Sequence, residues 1–262
     1  MKTLYAGPYI GEFGWELCWF NPQIRHLARQ YEKTTVAAPT GSEYLYEFAD
    51  VFIPLEGTCG WDGPIGTYQG PLPSVGATKH IDPLNTRHQV LSRTHPNLKW
   101  RALGVGPTAP WADIMCAFRP PKVHPATQQV SPGKEYPKLL CTRLVGELRE
   151  IGFTVACYGG SDNYYVEGCL DLRGAPLEEQ CEALGAARCA VGPSSGTMHL
   201  ASLCRCPHVT WYSPHTHPEL VHRYERHWNP FKTPMEFLEG CPEPETIVNA
   251  VGNLVPHHPL PQ

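Results

Sequence analysis

Short apolar runs alternate with segments of helical period through the second half of this sequence, and no other feature constrains the fold as strongly. Residues 113–118, Asp-Ile-Met-Cys-Ala-Phe, are mostly apolar and stop at Arg119-Pro120-Pro121. A run of that length suits a strand buried on both faces. Leu140, Leu144, Leu148 and Ile151 then recur at helical spacing, with Gly152 placed to end the helix. Residues 153–158 read as a second strand broken by Gly159-Gly160, and residues 170–172 as a short third. Pro176 opens a helix whose apolar face is Leu177, Cys181 and Leu184. Residues 189–191 and 207–212 complete five strands, and Ser194-Ser195-Gly196 opens the helix between these last two. Strand alternating with helix predicts parallel βαβ units.

The first half begins the same way. Residues 3–6 read as a strand, 7–14 as a Gly-rich turn, 15–31 as a helix with Leu17, Ile24, Leu27 and Ala28 on one face, and 34–38 as a strand. After residues 51–53 the pattern fades, and residues 56–76 form a Gly- and Pro-rich loop. The expected architecture is α/β, with two Rossmann-like lobes, a cleft between them, and a trimmed, irregular N-terminal lobe. The boundary falls between Arg101 and Asp113, which gives lobes 1–107 and 108–262. A chain of 262 residues with 42% hydrophobic and 18% charged residues can fill either one large domain or two small ones.

Composition excludes several classes. No apolar run approaches the roughly 18 residues a membrane span needs. The opening Met1-Lys2-Thr3-Leu4-Tyr5 carries no basic and apolar leader, so the expected compartment is the cytoplasm. The eleven cysteines include no C-x-x-C pair, and Cys116, Cys157, Cys169, Cys181, Cys189 and Cys204 sit within apolar patterns. Buried free thiols are expected rather than a zinc ribbon or a redox motif. A formal charge of −4 argues against a general nucleic-acid coat.

The segment Val191-Gly192-Pro193-Ser194-Ser195-Gly196-Thr197-Met198-His199-Leu200-Ala201 runs from a strand through a turn of small residues into a helix. N–H groups of a first helical turn lack intrahelical partners, and the helix dipole favours an anion there. Ser194, Ser195 and Thr197 add hydroxyls. A diphosphate can be held this way without metal. A plain N-cap explains the same serines, and both readings stay open on the residues alone.

This segment resembles the donor-binding motif of the heptosyltransferases, which are inverting glycosyltransferases of the two-lobed GT-B type. The order upstream is similar as well: a helix over 139–151, then Tyr158-Gly159-Gly160, then Leu172-Arg173-Gly174, then a helix rich in Leu and Ala over 177–187. Lys134-Glu135-Tyr136-Pro137 resembles the family's basic-aromatic-Pro stretch. The resemblance covers about residues 113–213. It implies a nucleotide-diphosphate sugar as co-substrate and no further cofactor. It also implies donor contacts from Arg119, Lys134, Gly159, Gly160, Ser194, Ser195, Gly196, Thr197, His199 and Tyr212.

In that family the first strand-to-helix turn ends in Gly-Asp, with the Asp as general base and a Pro further along the helix. Here the turn reads Gly11-Glu12-Phe13-Gly14-Trp15-Glu16-Leu17, and Glu16 lies six positions before Pro22 in the matching register. Trp15 intervenes, Glu replaces Asp, and Glu12 offers a second carboxylate. The register favours Glu16, and Glu12 stays open beside it. An acceptor hydroxyl needs such a group to take its proton. An acid in a first helical turn also complements the dipole, which explains Glu16 better than Glu12. Gly11, Gly14 and Trp15 are the acceptor contacts this turn implies.

Three further features bear on ligands. The six Asp are isolated, with no Asp-x-Asp pair of the kind that holds a cation on a diphosphate. Glu219 follows Pro218 at a helix start; the GT-B resemblance implies a donor-ribose contact there, since a carboxylate accepts two hydroxyl hydrogen bonds, and an acid that complements the helix dipole explains it equally. The nearby His215, His217, His222 and His227 lack a standard zinc spacing, so no metal site is expected. Residues 79–101 hold five Lys/Arg, three His and one acid, Asp82. Arg87, Arg93 and Trp100 could grip an anionic acceptor there, or the stretch could be a solvated face. The function expected is metal-independent, inverting transfer of a sugar to an acceptor hydroxyl, the acceptor being a glycan or a hydroxylated DNA base. A DNA-modifying enzyme acting on a hydroxymethylated base, and a non-catalytic sugar-nucleotide-binding module, remain the alternatives.

Overall fold

A computed structural model describes residues 1–56, 77–81, 98–104, 109–121, 136–212 and 228–255. The chain divides into two units, Met1–Arg101 and Ala102–Gln262.

The N-terminal unit carries a four-stranded parallel sheet in the order β3-β2-β1-β4. Its strands are β1 (Thr3–Ala6), β2 (Lys33–Pro39), β3 (Val51–Leu55) and β4 (Lys79–Ile81). β1 runs beside both β2 and β4 in parallel register. The turn after β1 begins at Gly7, whose φ of +133° is open to glycine alone among common residues. A Cβ at Gly7 would also strike the Ala37 carbonyl.

The helix read over 15–31 begins two residues earlier and is not uniform. It opens as α1 (Phe13–Trp15), widens into a π turn over Glu16–Phe20, and continues as α2 (Asn21–Ala28). Pro22 is the physical reason. Its ring would clash with the carbonyl four residues back in a regular helix. The wider turn just ahead, where Asn21 N–H reaches Glu16 O, relieves that clash. Ile24 and Leu17 pack inward, 0% and 1% exposed.

The C-terminal unit holds a six-stranded parallel sheet, β10-β9-β8-β5-β6-β7. The strands are β5 (Ile114–Cys116), β6 (Val155–Gly159), β7 (Leu170–Arg173), β8 (Cys189–Pro193), β9 (His208–Tyr212) and β10 (Met235–Glu239). Among the described residues its helices are α3 (Lys138–Glu150), α4 (Leu177–Ala186), α5 (Gly196–Leu203) and α6 (Pro244–Leu254). α3 and α6 share one core cluster with Ile114, Cys116, Val155, Cys157, Val191, Val209 and Trp211. These strand residues alternate along their strands, so they mark one face of the sheet. Full burial of a large side chain such as Trp211 contributes about 1.5–3 kcal/mol.

The five strands read in this half are present, each with ends moved by one or two residues. β4, β10 and α6 were not read. β4 lies inside the basic stretch, and the remaining two follow the histidine-rich segment, where no clear period survives. The six cysteines placed in apolar patterns are all buried and free. Among the described residues no helix is long and apolar enough to cross a membrane.

Candidate functional site

In the C-terminal sheet the chain leaves β5, builds β6 and β7 on one side, then returns to place β8 on the other side of β5. The carboxyl ends of β5 and β8 therefore flank the point where strand order reverses. Ligands of open α/β sheets bind in the crevice that forms there. The segment Ser194, Ser195, Gly196 and Thr197 sits at the end of β8, and Arg119 lies three residues beyond β5.

Local geometry makes the β8 end receptive. Ser194 N–H is used by the Trp211 carbonyl at 2.8 Å, which fixes the turn. Ser195 is the extended N-cap residue of α5, at φ −157° and ψ 173°, and its side chain makes no capping bond. Its carbonyl accepts from Met198 and His199 N–H. Among the described residues the N–H groups of Gly196 and Thr197 reach no backbone acceptor. Two donors at a helix start, with the dipole behind them, form a cradle for an anion.

The Gly159-Gly160 turn comes alongside. Tyr158 Oη donates to the Thr197 carbonyl at 3.3 Å, so the end of β6 touches the first turn of α5. Gly159 has φ +108°, and a Cβ there would collide with the Asn163 amide and approach Thr197 Cγ2. Buried Gln180 holds this glycine from both sides: it accepts Gly159 N–H at 2.9 Å and donates to the Gly159 carbonyl at 3.3 Å, and it also donates to the Ala175 carbonyl at 2.7 Å. Asn163 Nδ2 donates to the Tyr158 carbonyl at 2.9 Å. Gln180 and Asn163 were not read from the sequence, because an isolated amide on an amphipathic helix or in a loop carries no local signal.

His199 faces inward, 7% exposed, with its ring 4.6 Å from that of Trp228. Tyr212, half-buried at the end of β9, packs on Phe237 at 4.9 Å. Arg119, Gly159, Gly160, Ser194, Ser195, Gly196, Thr197 and Tyr212 thus lie along the carboxyl edge of one sheet, with His199 one turn into α5. Lys134 and Glu219 lie outside the described residues, as do Arg87 and Arg93. Trp100 is half-buried. Arg101, counted in the basic stretch, pairs with Glu47 at 2.7 Å and lies over the Tyr44 ring.

The N-terminal unit separates the two carboxylates. Glu12 is exposed, just before α1. Its carbonyl accepts from Tyr9 Oη at 2.7 Å, Trp15 N–H at 3.0 Å and Glu16 N–H at 3.1 Å. Gly11, Gly14 and Trp15 are all half-buried around it. Glu16 is 0% exposed. Tyr46 Oη donates to its Oε1 at 3.0 Å and Ser42 Oγ to its Oε2 at 3.2 Å. Burial pushes its pKa up to about 8, against the opposing pull of those two hydroxyls. At neutral pH Glu16 keeps its proton. The family register favoured Glu16, and register alone could not reveal this, because burial comes from residues 26 and 30 positions away.

No protein-family model and no curated protein matches the sequence. Solved structures do. The glycosyl transferase family 9 protein from Veillonella parvula aligns at 12% identity over 97% of each chain, with a TM-score of 0.61. The heptosyltransferase WaaC of E. coli, solved with ADP, aligns at 13% identity over 97% of this chain and 100% of its own, with a TM-score of 0.57. The ADP-heptose lipopolysaccharide heptosyltransferase II of E. coli aligns at 14% identity over 97% and 98%, with a TM-score of 0.56. With its two parallel α/β units, the chain has a heptosyltransferase-like fold of the GT-B type.

Proposed function

We propose that the chain is a metal-independent, inverting glycosyltransferase that moves a sugar from a nucleoside-diphosphate donor to a glycan hydroxyl. The observation that carries this reading is the helix start at Gly196, set at the strand-order reversal of the C-terminal sheet, where among the described residues two N–H donors reach no backbone acceptor. That unit is assigned the donor. Gly196 and Thr197 N–H would meet the diphosphate, and the α5 dipole would favour the charge that grows as the leaving group departs. WaaC is seen with ADP, and a nucleoside diphosphate is assigned the same role here. Metal independence is supported by this helix start and by the absence of Asp-x-Asp from the sequence.

The acceptor is assigned to the N-terminal unit, with Glu12 rather than Glu16 as general base. An exposed carboxylate can reach a hydroxyl, whereas Glu16 faces Ser42 and Tyr46 and holds its proton. In the step proposed, the acceptor oxygen attacks the anomeric carbon while Glu12 takes its proton. The bond from that carbon to the diphosphate oxygen breaks, and configuration inverts. No observation favours a hydroxymethylated DNA base as acceptor.

The test is release of nucleoside diphosphate from a panel of nucleotide sugars with excess EDTA present. Release that persists supports the reading. Release that stops and returns with Mg²⁺ or Mn²⁺ overturns metal independence. Binding with no release from any donor would leave a sugar-nucleotide-binding module instead.

A further inference from the structure

The buried carboxyl of Glu16 is a chemical group for which the proposed transfer has no use. A carboxyl with 0% exposure is costly unless it is neutral or paired. Among the described residues no cation lies within ion-pair distance of it. Its neighbours come from the segment after β2: Ser42 and Tyr46 touch it, and exposed Glu43 adds a like charge nearby. Behind Tyr46 stand Tyr9 and Arg25. Burial holds the Tyr46 hydroxyl well above its usual range, and the Cys18 thiol likewise, so neither ionises near neutrality.

The same residue is joined to the turn that presents Glu12. Glu16 N–H donates to the Glu12 carbonyl, as does Trp15 N–H. Tyr9 Oη donates to that oxygen as well. The segment at residues 42–46 is itself clamped by other groups. Asn21 Nδ2 donates to the Leu45 carbonyl at 2.6 Å, and Arg25 bonds both that carbonyl and Glu47. The side chain of Glu16 therefore runs from a fixed platform to the base of the Glu12 turn.

We infer that Glu16 is a positioning residue, a proton-carrying strut whose neutral carboxyl holds the Glu12 turn against residues 42–46, and whose ionisation loosens that turn. An ionised carboxylate in this place has no countercharge and seeks water. Reaching water means breaking the contacts to Ser42 and Tyr46. The amide of glutamine matches the neutral acid in shape and hydrogen bonding but cannot ionise. The inference rests on the proposed function only in giving Glu12 a task. Its test uses no substrate, so either can fail alone.

The experiment is hydrogen exchange on the full chain, read by mass spectrometry on peptides spanning residues 12–20, with intrinsic rates corrected for pH. In the native protein, protection of this segment should fall roughly tenfold between about pH 6.5 and about pH 9, while Glu16→Gln keeps its protection at both. Tyr46→Phe removes one hydroxyl and leaves the carboxyl, so its segment should be less protected than native at the lower pH and retain a pH dependence. Equal pH dependence in native protein and Glu16→Gln overturns the strut. So does unchanged protection in the native protein across this range.

Discussion

Each unit has a parallel strand that runs through a turn into a helix, β1 into α1 and β8 into α5, yet the two turns are built differently. In the C-terminal unit the turn is made of small residues, and among the described residues Gly196 and Thr197 N–H reach no backbone acceptor. In the N-terminal unit the turn is bulky. Trp15 and Phe13 crowd it, Pro22 forces a π turn, and the carboxyl carried by that π turn is folded inward on Ser42 and Tyr46. One turn is built of small residues, and the other is bulky and folds its carboxyl inward on Ser42 and Tyr46. The lesson is that register with a family's general base does not by itself make a carboxylate available. Burial decides whether it can be ionised and whether it can be touched.

The largest expected effect tests that distinction. Glu12→Gln should lower turnover by about 10²- to 10⁴-fold, the range typical for loss of a general base, with donor affinity and melting temperature near native. The matched Glu16→Gln should do the reverse. If Glu16→Gln rather than Glu12→Gln abolishes turnover in a folded protein, the assignment is inverted. If neither does, the base lies elsewhere.

Next come two pH effects of similar size and opposite sign. Glu16 has a folded pKa of about 8 against 4.5 for the free side chain. The folded state therefore binds the extra proton, and stability is full below about pH 4.5 and falls as pH rises toward 8. At pH 7 that loss is of the order of 3 kcal/mol. Glu16→Gln should recover it, raising the melting temperature at pH 7 to 8 and changing little near pH 4. His208 in the C-terminal unit behaves conversely. It is 0% exposed, with Nδ1 3.0 Å from the Cys206 carbonyl and Nε2 3.2 Å from Ser202 Oγ. A carbonyl can only accept, so Nδ1 carries the hydrogen and Nε2 accepts from the serine. Burial pushes its pKa down to about 4 from 6.5, partly offset by the Cys206 carbonyl. The unfolded state takes up the proton first, so stability is full above about pH 6.5 and is lost as pH falls toward 4, by a total of the order of 3 kcal/mol. His208→Gln should erase that acid limb while leaving the alkaline one. Thermal melts across pH on the native protein and both variants check these signs together. A native melting temperature flat from pH 4 to pH 8.5 would contradict both.

Much of the C-terminal unit was legible because each strand there is a short apolar run between turn residues, and period alone identifies it. Gly159 and Gly196 could be placed at the turns that follow strands for the same reason. The N-terminal unit was less legible. Its helix carries Pro22 inside, its second crossover contains only a short 3₁₀ turn at Glu43–Tyr46, and β4 has just three residues, Lys-His-Ile, in a basic stretch. What the sequence could not show in either unit is burial of single polar groups. Gln180 meets Gly159 across 21 positions, and Tyr46 meets Glu16 across 30. Spacing rules reach about one helical turn or one strand neighbour, and such contacts are set by the tertiary fold.

The smallest effect expected is none at all: excess EDTA should leave the donor affinity of the C-terminal unit unchanged, and a Kd that weakens on chelation would break the contrast drawn for the helix start at Gly196. The central claim, that this helix start receives the diphosphate, is tested most directly by calorimetric titration of ADP into the native chain and Gly196→Val. A Cβ branch at the first helical position would obstruct an anion approaching the backbone. The account predicts measurable binding by the native protein and at least a roughly tenfold weaker Kd in a variant of unchanged melting temperature, a difference of about 1.4 kcal/mol. Equal affinity in the native protein and a folded Gly196→Val would place the phosphate site elsewhere and contradict the claim.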